Sequence, residues 1–322
     1  MSVEYDVIFY SGMSDSLLYL TRDAVRSLLP SPEEQLEITA GTYVALAAGT
    51  VEMPPKPAIH PREHSFLHAM PAYLADADVA AVKWVGGSAS NKARGLPYIS
   101  GLIVVNDPET GRPLAIMDAS EITAARTAAA SGVCIRRFAG ERWERVALIG
   151  FGEQGRAHAR LLEAMNPDAS LAVYNRSAPD TTGLNGRLTI VDSPQEAVAG
   201  ATIVVTAIPL EKAPAPIFDA GSLADAELLL PLDFDASLEA GLVSEADLFV
   251  VDDVGQFEHY RNLGHFEGWP PADTSIGAAL ATERRPARTV CCNLGIAALD
   301  AAFAAHVLDR ARESRVGLEL PW

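Results

Sequence analysis

One short turn limits the fold more than any other stretch of the chain: Gly150-Phe-Gly152-Glu-Gln-Gly155, which follows the apolar run RVALI and opens a helical pattern through Met165. In such a turn the first glycine permits a tight bend and the second lets the backbone approach a pyrophosphate. The third lets the helix pack closely on the strand, and the helix N-terminus offers free N–H groups and a positive dipole end. From about Arg145 to Asp253 the sequence alternates VALIG, a helix, LAVYN, a short strand near LTIVD, a helix near PQEAVAG, ATIVVTAI, LLLPLD and LFVVDD. That rhythm predicts an α/β chain with a Rossmann-type doubly wound parallel sheet, helices on both faces, and a dinucleotide held by Gly150, Gly152, Glu153, Gln154 and Gly155.

The end of the second strand of such a unit selects the cofactor. An acidic residue there would hydrogen-bond a ribose 2′-hydroxyl and repel a 2′-phosphate. Here it reads Tyr174-Asn175-Arg176-Ser177, a cation among hydrogen-bonding groups, which favours NADP(H) over NAD(H). Asn175, Arg176 and Ser177, with Thr127, Thr206 and Ile208, complete the expected cofactor contacts.

Before the glycine turn the pattern differs. A strand and then a helix (Ser14–Leu29) are expected up to Pro30, with Ser-Pro-Glu-Glu starting a second helix over Ser31–Leu46. Met53-Pro-Pro-Lys-Pro forces an extended connection. FLHAMPAYL, VAAVKWV and YISGLIVVND then read as strands, and Pro108-Glu-Thr-Gly111 as a hairpin turn with Gly111 at positive φ. Ser120 is the expected N-cap of an Ala-rich helix, SEITAARTAAASGVCIRRFA, and Asn293 to Arg315 is a second Ala-rich helix that returns to the first region. These elements imply a sheet-rich domain from residues 1–122 and 291–322, and a dinucleotide-binding domain over 123–290.

Composition narrows the partners. With 49% hydrophobic residues a large core can form, while a formal charge of −17 disfavours nucleic acid and anionic membrane surfaces. The N-terminus has no basic region ahead of an apolar stretch, no run of 18 apolar residues occurs, and Cys134, Cys291 and Cys292 are few and odd in number. A cytoplasmic chain with reduced thiols is expected. His60, His64 and His68 have the i, i+4, i+8 spacing of a helical metal face, but Pro61 and the strand-like alternation argue against a metal site.

MPAYL (70–74), VKWV (82–85), NKARGLPYISGLIVVNDPETGRPLAIMD (91–118), ITAARTAAASG (122–132), GFGEQGRAHA (150–159) and NLGIAALD (293–300) together resemble the ornithine cyclodeaminase/μ-crystallin family. The resemblance implies a homodimer, its contact and its substrate pocket made by the sheet-rich domain. It also implies a substrate carboxylate held by Arg62, Lys83 and Arg126, with His68 and Asn91 in the same pocket, and catalytic roles for Lys83 and Asp233. Asp233 would take a proton from an amine or give one to an imine, and PLDFD leaves Asp235 as the other candidate. Where cyclodeaminases carry a Glu shortly before the Met-Pro pair this chain has His68, which weakens the case for a diamino acid. The expected activity is NAD(P)-dependent interconversion of an α-amino acid with an α-imino, 2-oxo or cyclic imino acid. A cyclodeaminase with bound NAD and a non-catalytic binding protein are the alternatives. Residues near His265 and Trp269 are expected to shape the pocket.

Overall fold

The structure, a computed structural model, describes residues 16–139, 143–184, 187–209, 215–283 and 286–321. Strand β1 (Ser16–Leu20) leads into α1 (Arg22–Leu28), whose N-cap Thr21 accepts from Ala24 N. The expected helix Ser14–Leu29 is therefore corrected: SLLYL is drawn into a sheet, and Ser14 lies outside the described residues. Helix α2 (Pro32–Ala48) starts at a capping box, Ser31 N to Glu34 Oε2 at 2.7 Å and Glu34 N to Ser31 Oγ at 3.4 Å, and stops at Gly49 with φ 77°.

After β2 (Val51–Glu52) and β3 (Ala58–Ile59), the strands β4 (Ser65–Leu74), β5 (Val79–Ser88), β6 (Ile99–Asn106) and β7 (Pro113–Asp118) form an antiparallel meander. The β6–β7 turn closes as expected, with Gly111 at φ 72° and its N–H bonded to Asp107 O at 2.8 Å. Helix α3 (Ser120–Cys134) follows at once. Its N-cap is Ala119 rather than the expected Ser120; the carboxylate of Asp118 takes the capping role, accepting from Ser120 N at 2.8 Å.

The parallel sheet comprises β8 (Arg145–Ile149), β9 (Ser170–Tyr174), β10 (Leu188–Ile190), β11 (Ile203–Thr206), β12 (Leu228–Pro231), β13 (Leu248–Val251), β14 (Thr274–Ser275) and β15 (Thr289–Cys292). Between them lie α4 (Glu153–Met165), α5 (Pro194–Val198), α6 (Ala240–Ser244), α7 (Val254–Asn262) and α8 (Ile276–Leu280). The spatial order is β10-β9-β8-β11-β12-β15-β13-β14, with every neighbouring pair parallel. Alternate residues of β8 enter opposite cores, Val146 and Leu148 on one face and Ala147 and Ile149 on the other, which requires both faces to be covered.

Helix α9 (Ala297–Ser314) and β16 (Leu318–Pro321) return the chain to the first sheet, whose order is β16-β1-β7-β6-β5-β4-β2 with β3 on β4. Helix α9 lies on β4, β5 and β6 with Phe303 and Val307 fully buried. A single core contains Ile103 and Met117 of the mixed sheet together with Leu148 and Val250 of the parallel one, so the two sheets share apolar packing. Strand β15, last of the parallel strands in sequence, sits between β12 and β13. The loop after Cys292 therefore emerges in mid-sheet beside the C-terminal ends of both. Ligands of doubly wound sheets bind at those ends.

Candidate active site

The glycine turn is built by steric necessity. A Cβ on Gly150 (φ 94°) would lie 2.4 Å from Ala207 O, and one on Gly155 would lie 2.3 Å from Gly150 O. Gly152, the N-cap of α4, faces open space, with nothing within 4 Å of a Cβ placed there and no side chain capping the helix. A cradle with closed walls and an open mouth fits a pyrophosphate, whose charge the first-turn amides would receive. Asn175 ties this turn to the end of β9, accepting from Phe151 N at 2.9 Å and donating to Ser177 O at 2.8 Å. Arg176 is exposed beside it. Thr127 turns its hydroxyl to Thr123 O, Glu153 faces Arg22 at 3.3 Å, and the buried Oε1 of Gln154 has no hydrogen-bond partner among the described residues.

A second cluster is buried and charge-dense. Lys83 on β5 is 2% exposed, and its Nζ lies 2.6 Å from Asp300 Oδ2. Arg126 of α3 reaches the other oxygen of the same carboxylate, Nε to Oδ1 at 3.1 Å. Asp300, on the first turn of α9, thus joins two cations, and its removal would strand both of them in a buried site. Burial, against the pull of Asp300, brings the Lys83 ammonium down to about 7.

Lys56, from the Pro-rich connection, is the third buried cation. It donates to Leu294 O at 2.7 Å and Gly295 O at 3.2 Å, and stands 5.2 Å from the ring centroid of Tyr260 and 6.0 Å from that of Phe234. Burial lowers it to about 8, opposed by Asp252. Asp252, at the end of β13, accepts from Gly295 N at 2.7 Å and is raised to about 6 by burial, with Lys56 acting the other way. Gly295 (φ 81°) carries no side chain because a Cβ would lie 3.0 Å from Arg126 Nη1. The loop after β15 is therefore gripped from both sides: by Lys56 of the Pro-rich connection, and by Asp252 and Gln256 (Nε2 to Gly295 O, 3.2 Å) of the parallel region.

Asp233 stands at the C-terminal end of β12, 1% exposed. Thr206 Oγ1 donates to its Oδ1 at 2.8 Å, and Ile208 N and Ser237 Oγ donate to its Oδ2 at 3.0 and 2.6 Å. Burial raises its pKa, and these three donors hold it back. Asp235 is turned elsewhere, accepting from Phe266 N at 2.7 Å with His265 Nδ1 at 4.0 Å.

Residues 18–314 match the ornithine cyclodeaminase/mu-crystallin family. The chain belongs to that family. It is 32% identical over 284 residues to the nodulation efficiency protein NfeD of Rhizobium meliloti, covering 84% of this chain and 87% of that protein. Among solved structures, a Thermococcus litoralis Δ1-pyrroline-2-carboxylate reductase in complex with NADH and L-proline is similar at TM-score 0.82 and 25% identity, covering 94% of this chain and all of that one. An archaeal alanine dehydrogenase dimer with bound NAD is similar at TM-score 0.78 and 25% identity, covering 95% and 99%. The structures similar to this chain thus include a pyrroline-2-carboxylate reductase solved with NADH and an alanine dehydrogenase solved with NAD.

Within this family member the expected site residues divide. Lys83 and Arg126 meet on Asp300, and His68 lies on the same inner sheet face as Lys83, paired with Val85 two residues along β5. Arg62 does not join them. It is exposed in the turn before β4 and donates to Pro61 O at 2.7 Å, because the chain from residue 58 to 64 runs along the rim; Lys56, six residues earlier, enters the interior in its stead. Asn91 also lies apart, in the short 3₁₀ turn after β5, donating to Pro97 O at 2.9 Å. Thr206 and Ile208 direct their donors to Asp233. Lys56, Asp252 and Asp300 were not anticipated. The trace of Lys56 was a lone cation locked between Pro55 and Pro57, and that of Asp300 an acidic residue inside an otherwise apolar helix start.

Proposed function

We propose that this protein is an NAD(P)-dependent oxidoreductase that interconverts an α-amino acid with the corresponding α-imino or cyclic imino acid, using NADP(H) in preference to NAD(H). One observation carries the reading: Lys83 and Arg126 meet on Asp300 and Lys56 bonds the loop after β15, three buried cations in one cluster, while the same parallel sheet carries the open glycine turn after β8. A bound nicotinamide would supply or accept a hydride. Gly150, Gly152, Gln154 and Gly155 would hold its pyrophosphate, and Asn175, Arg176 and Ser177 its adenosine ribose, the exposed Arg176 being suited to a 2′-phosphate.

Lys83 and Arg126 grip the substrate carboxylate, Lys56 guards the opposite wall, and Cα is thereby oriented toward the crevice. In the reducing direction the hydride adds to Cα, the C=N π pair becomes a lone pair on nitrogen, and that lone pair takes a proton. Asp233, raised by burial at the C-terminal end of β12, is the group assigned to carry that proton, and in reverse it receives one from the ammonium. The partner is a second copy of the chain. Exposed Trp84 and Leu102, paired across β5 and β6 on the outer face of the mixed sheet, support this, as apolar side chains on a sheet face that no helix covers among the described residues.

The test is to incubate purified protein with NADPH or NADH and a panel of 2-oxo acids with ammonium or amines, and cyclic imines. Oxidation of the cofactor with at least one imino acid is expected. Oxidation of neither cofactor under any condition would contradict the reading, and ammonia release from ornithine or lysine without net cofactor change would replace it by cyclodeamination.

A further inference from the structure

A buried chain of polar groups joins the helix of the glycine turn to the loop after β15, and its hydrogen bonds can run in one direction only. It starts in α4, where His158 Nδ1 lies 2.8 Å from Gln154 O. A carbonyl only accepts, so Nδ1 carries the proton and donates it. Burial holds the imidazole down to about 4, so the ring is neutral at ordinary pH and its Nε2 must accept. The partner of Nε2, at 2.9 Å, is Ser131 Oγ of α3, whose one proton is thereby committed. The Ser131 oxygen in turn accepts from Asn293 Nδ2 at 3.4 Å.

That order of protons fixes the amide of Asn293. Turned the other way, its oxygen would meet a serine oxygen with no proton left to share. Nδ2 therefore takes the Ser131 side and Oδ1 the other. Asn293 is 4% exposed and this oxygen is buried, yet it has no hydrogen-bond partner among the described residues. An unpaired buried acceptor is destabilising until a donor reaches it. Asn293 stands where a ligand can bring one. It follows β15, which pairs with the Asp233-bearing strand β12, at the C-terminal strand ends that face the crevice.

The donor follows by elimination. In the same loop Leu294 O and Gly295 O are taken by Lys56, and Gly295 N by Asp252. Of the two ligands in the proposed reaction, the amino or imino acid brings a carboxylate, which only accepts, and a nitrogen whose proton is exchanged with Asp233. The nicotinamide brings a carboxamide whose NH2 group offers two donors. We propose that Asn293 Oδ1 accepts from the carboxamide NH2 of a bound nicotinamide, and that Ser131 and His158 are positioning residues that hold the Asn293 amide in its accepting orientation. The chain ends on α4, whose first turn is assigned the pyrophosphate, so the ring and the phosphates are referred to one helix. This assignment rests on the dinucleotide reading given above and does not depend on the substrate or on turnover.

The experiment is calorimetry with NADP+ and NAD+ and with the 3-acetylpyridine analogue of each, in which a methyl group replaces the carboxamide NH2 and cannot donate. ADP-ribose and its 2′-phosphate, which lack the ring, control for the rest of the site, and thermal melting confirms that each variant is folded. The wild type is expected to bind the natural dinucleotide about tenfold or more tightly than its analogue, the scale of one buried hydrogen bond. Asn293→Ala should bring that ratio to about one. Ser131→Ala and His158→Leu, which release the amide to turn, should each lower it by about threefold or more, with binding of the ring-less ligands changed by less than about twofold. A role in packing alone would weaken both dinucleotides together and leave the ratio unmoved. Equal binding of dinucleotide and analogue by the wild type, or a ratio that Asn293→Ala does not change, would overturn the proposal and leave the cofactor reading standing. A ratio lost in Asn293→Ala but kept in both other variants would refute the positioning roles. Binding of neither dinucleotide nor ring-less ligand would refute the cofactor reading, and this assignment with it.

Discussion

The glycine turn after β8 and the cation cluster around the loop after β15 are made in opposite ways. The turn carries no charged side chain that its shape depends on; Gly150 and Gly155 are fixed by backbone carbonyls 2.4 and 2.3 Å from where a Cβ would stand. The cluster depends on charge throughout, three cations and two carboxylates with Lys83 and Asp300 at 2% and 1% exposure. A site shaped by sterics fails when an atom is added and is indifferent to pH. A site shaped by buried charge fails when a partner is removed and answers to pH. Variants and pH can each break that contrast.

The largest effect is expected from Asp300→Ala, which leaves Lys83 and Arg126 without their shared counter-ion. It should destabilise the fold by about 3–5 kcal/mol, read by denaturant unfolding, and abolish turnover. A loss below about 1 kcal/mol would mean that the cluster is not a coupled unit. Next comes the steric side. Gly155→Ala should cost about 1–3 kcal/mol, as inserted atoms in packed sites do, whereas Gly152→Ala, into open space, should leave stability within about 0.5 kcal/mol while weakening cofactor binding. Measuring melting and cofactor titration on both separates a structural glycine from a ligand-facing one.

pH should act on the cluster alone. Lys83 releases its proton near 7 and Lys56 near 8, so KM for the imino acid should climb as pH rises beyond 7 to 8, with cofactor affinity little changed. Stability has its own sign. The unfolded lysine stays protonated to its ordinary 10.5 while native Lys83 does not, so between about 7 and 10.5 the unfolded state binds more protons and this group's contribution to stability increases with pH. Asp252 acts oppositely: raised from 3.8 to about 6, it lowers stability as pH rises through that interval. Arg176→Ala should shift the NADPH-to-NADH preference by about tenfold, the value of one exposed phosphate contact in a cleft. The smallest effect belongs to Arg62→Ala, within about 0.5 kcal/mol in stability and with little change in turnover.

The same contrast explains what could be read from the residues alone. The turn is six consecutive positions after a strand, and its function follows from adjacent residues; the meander, the parallel sheet and the Gly111 turn were legible for the same reason, since each is set by local period and turn chemistry. The cluster draws on positions 56, 83, 126, 252 and 300, which only the folded topology assembles. Lys83 and Arg126 were recognisable because they lie in distinctive blocks, whereas Arg62 came only from its match to the family's arginine after the Pro-rich segment, and Lys56 had no such block around it. Which of the two enters the interior is decided by the β3–β4 pairing, and two-residue β3 leaves almost no periodic signal. Asp300 was hidden in another way: an acid at a helix start ordinarily serves the helix dipole, and nothing local reveals that cations from β5 and α3 converge on it. Ser120 was displaced as a cap by Asp118, whose carboxylate already sits at the strand's end.

The central claim is that the cation cluster holds the α-carbon where a nicotinamide bound at the glycine turn can exchange hydride with it. Nicotinamide cofactor carrying deuterium on the transferable position of C4, supplied with an imino acid in ordinary water, tests it directly by NMR of the amino acid formed. Deuterium at Cα is the predicted result. An amino acid formed with protium alone at Cα from stereospecifically labelled cofactor of both faces, or no amino acid at all, would contradict it.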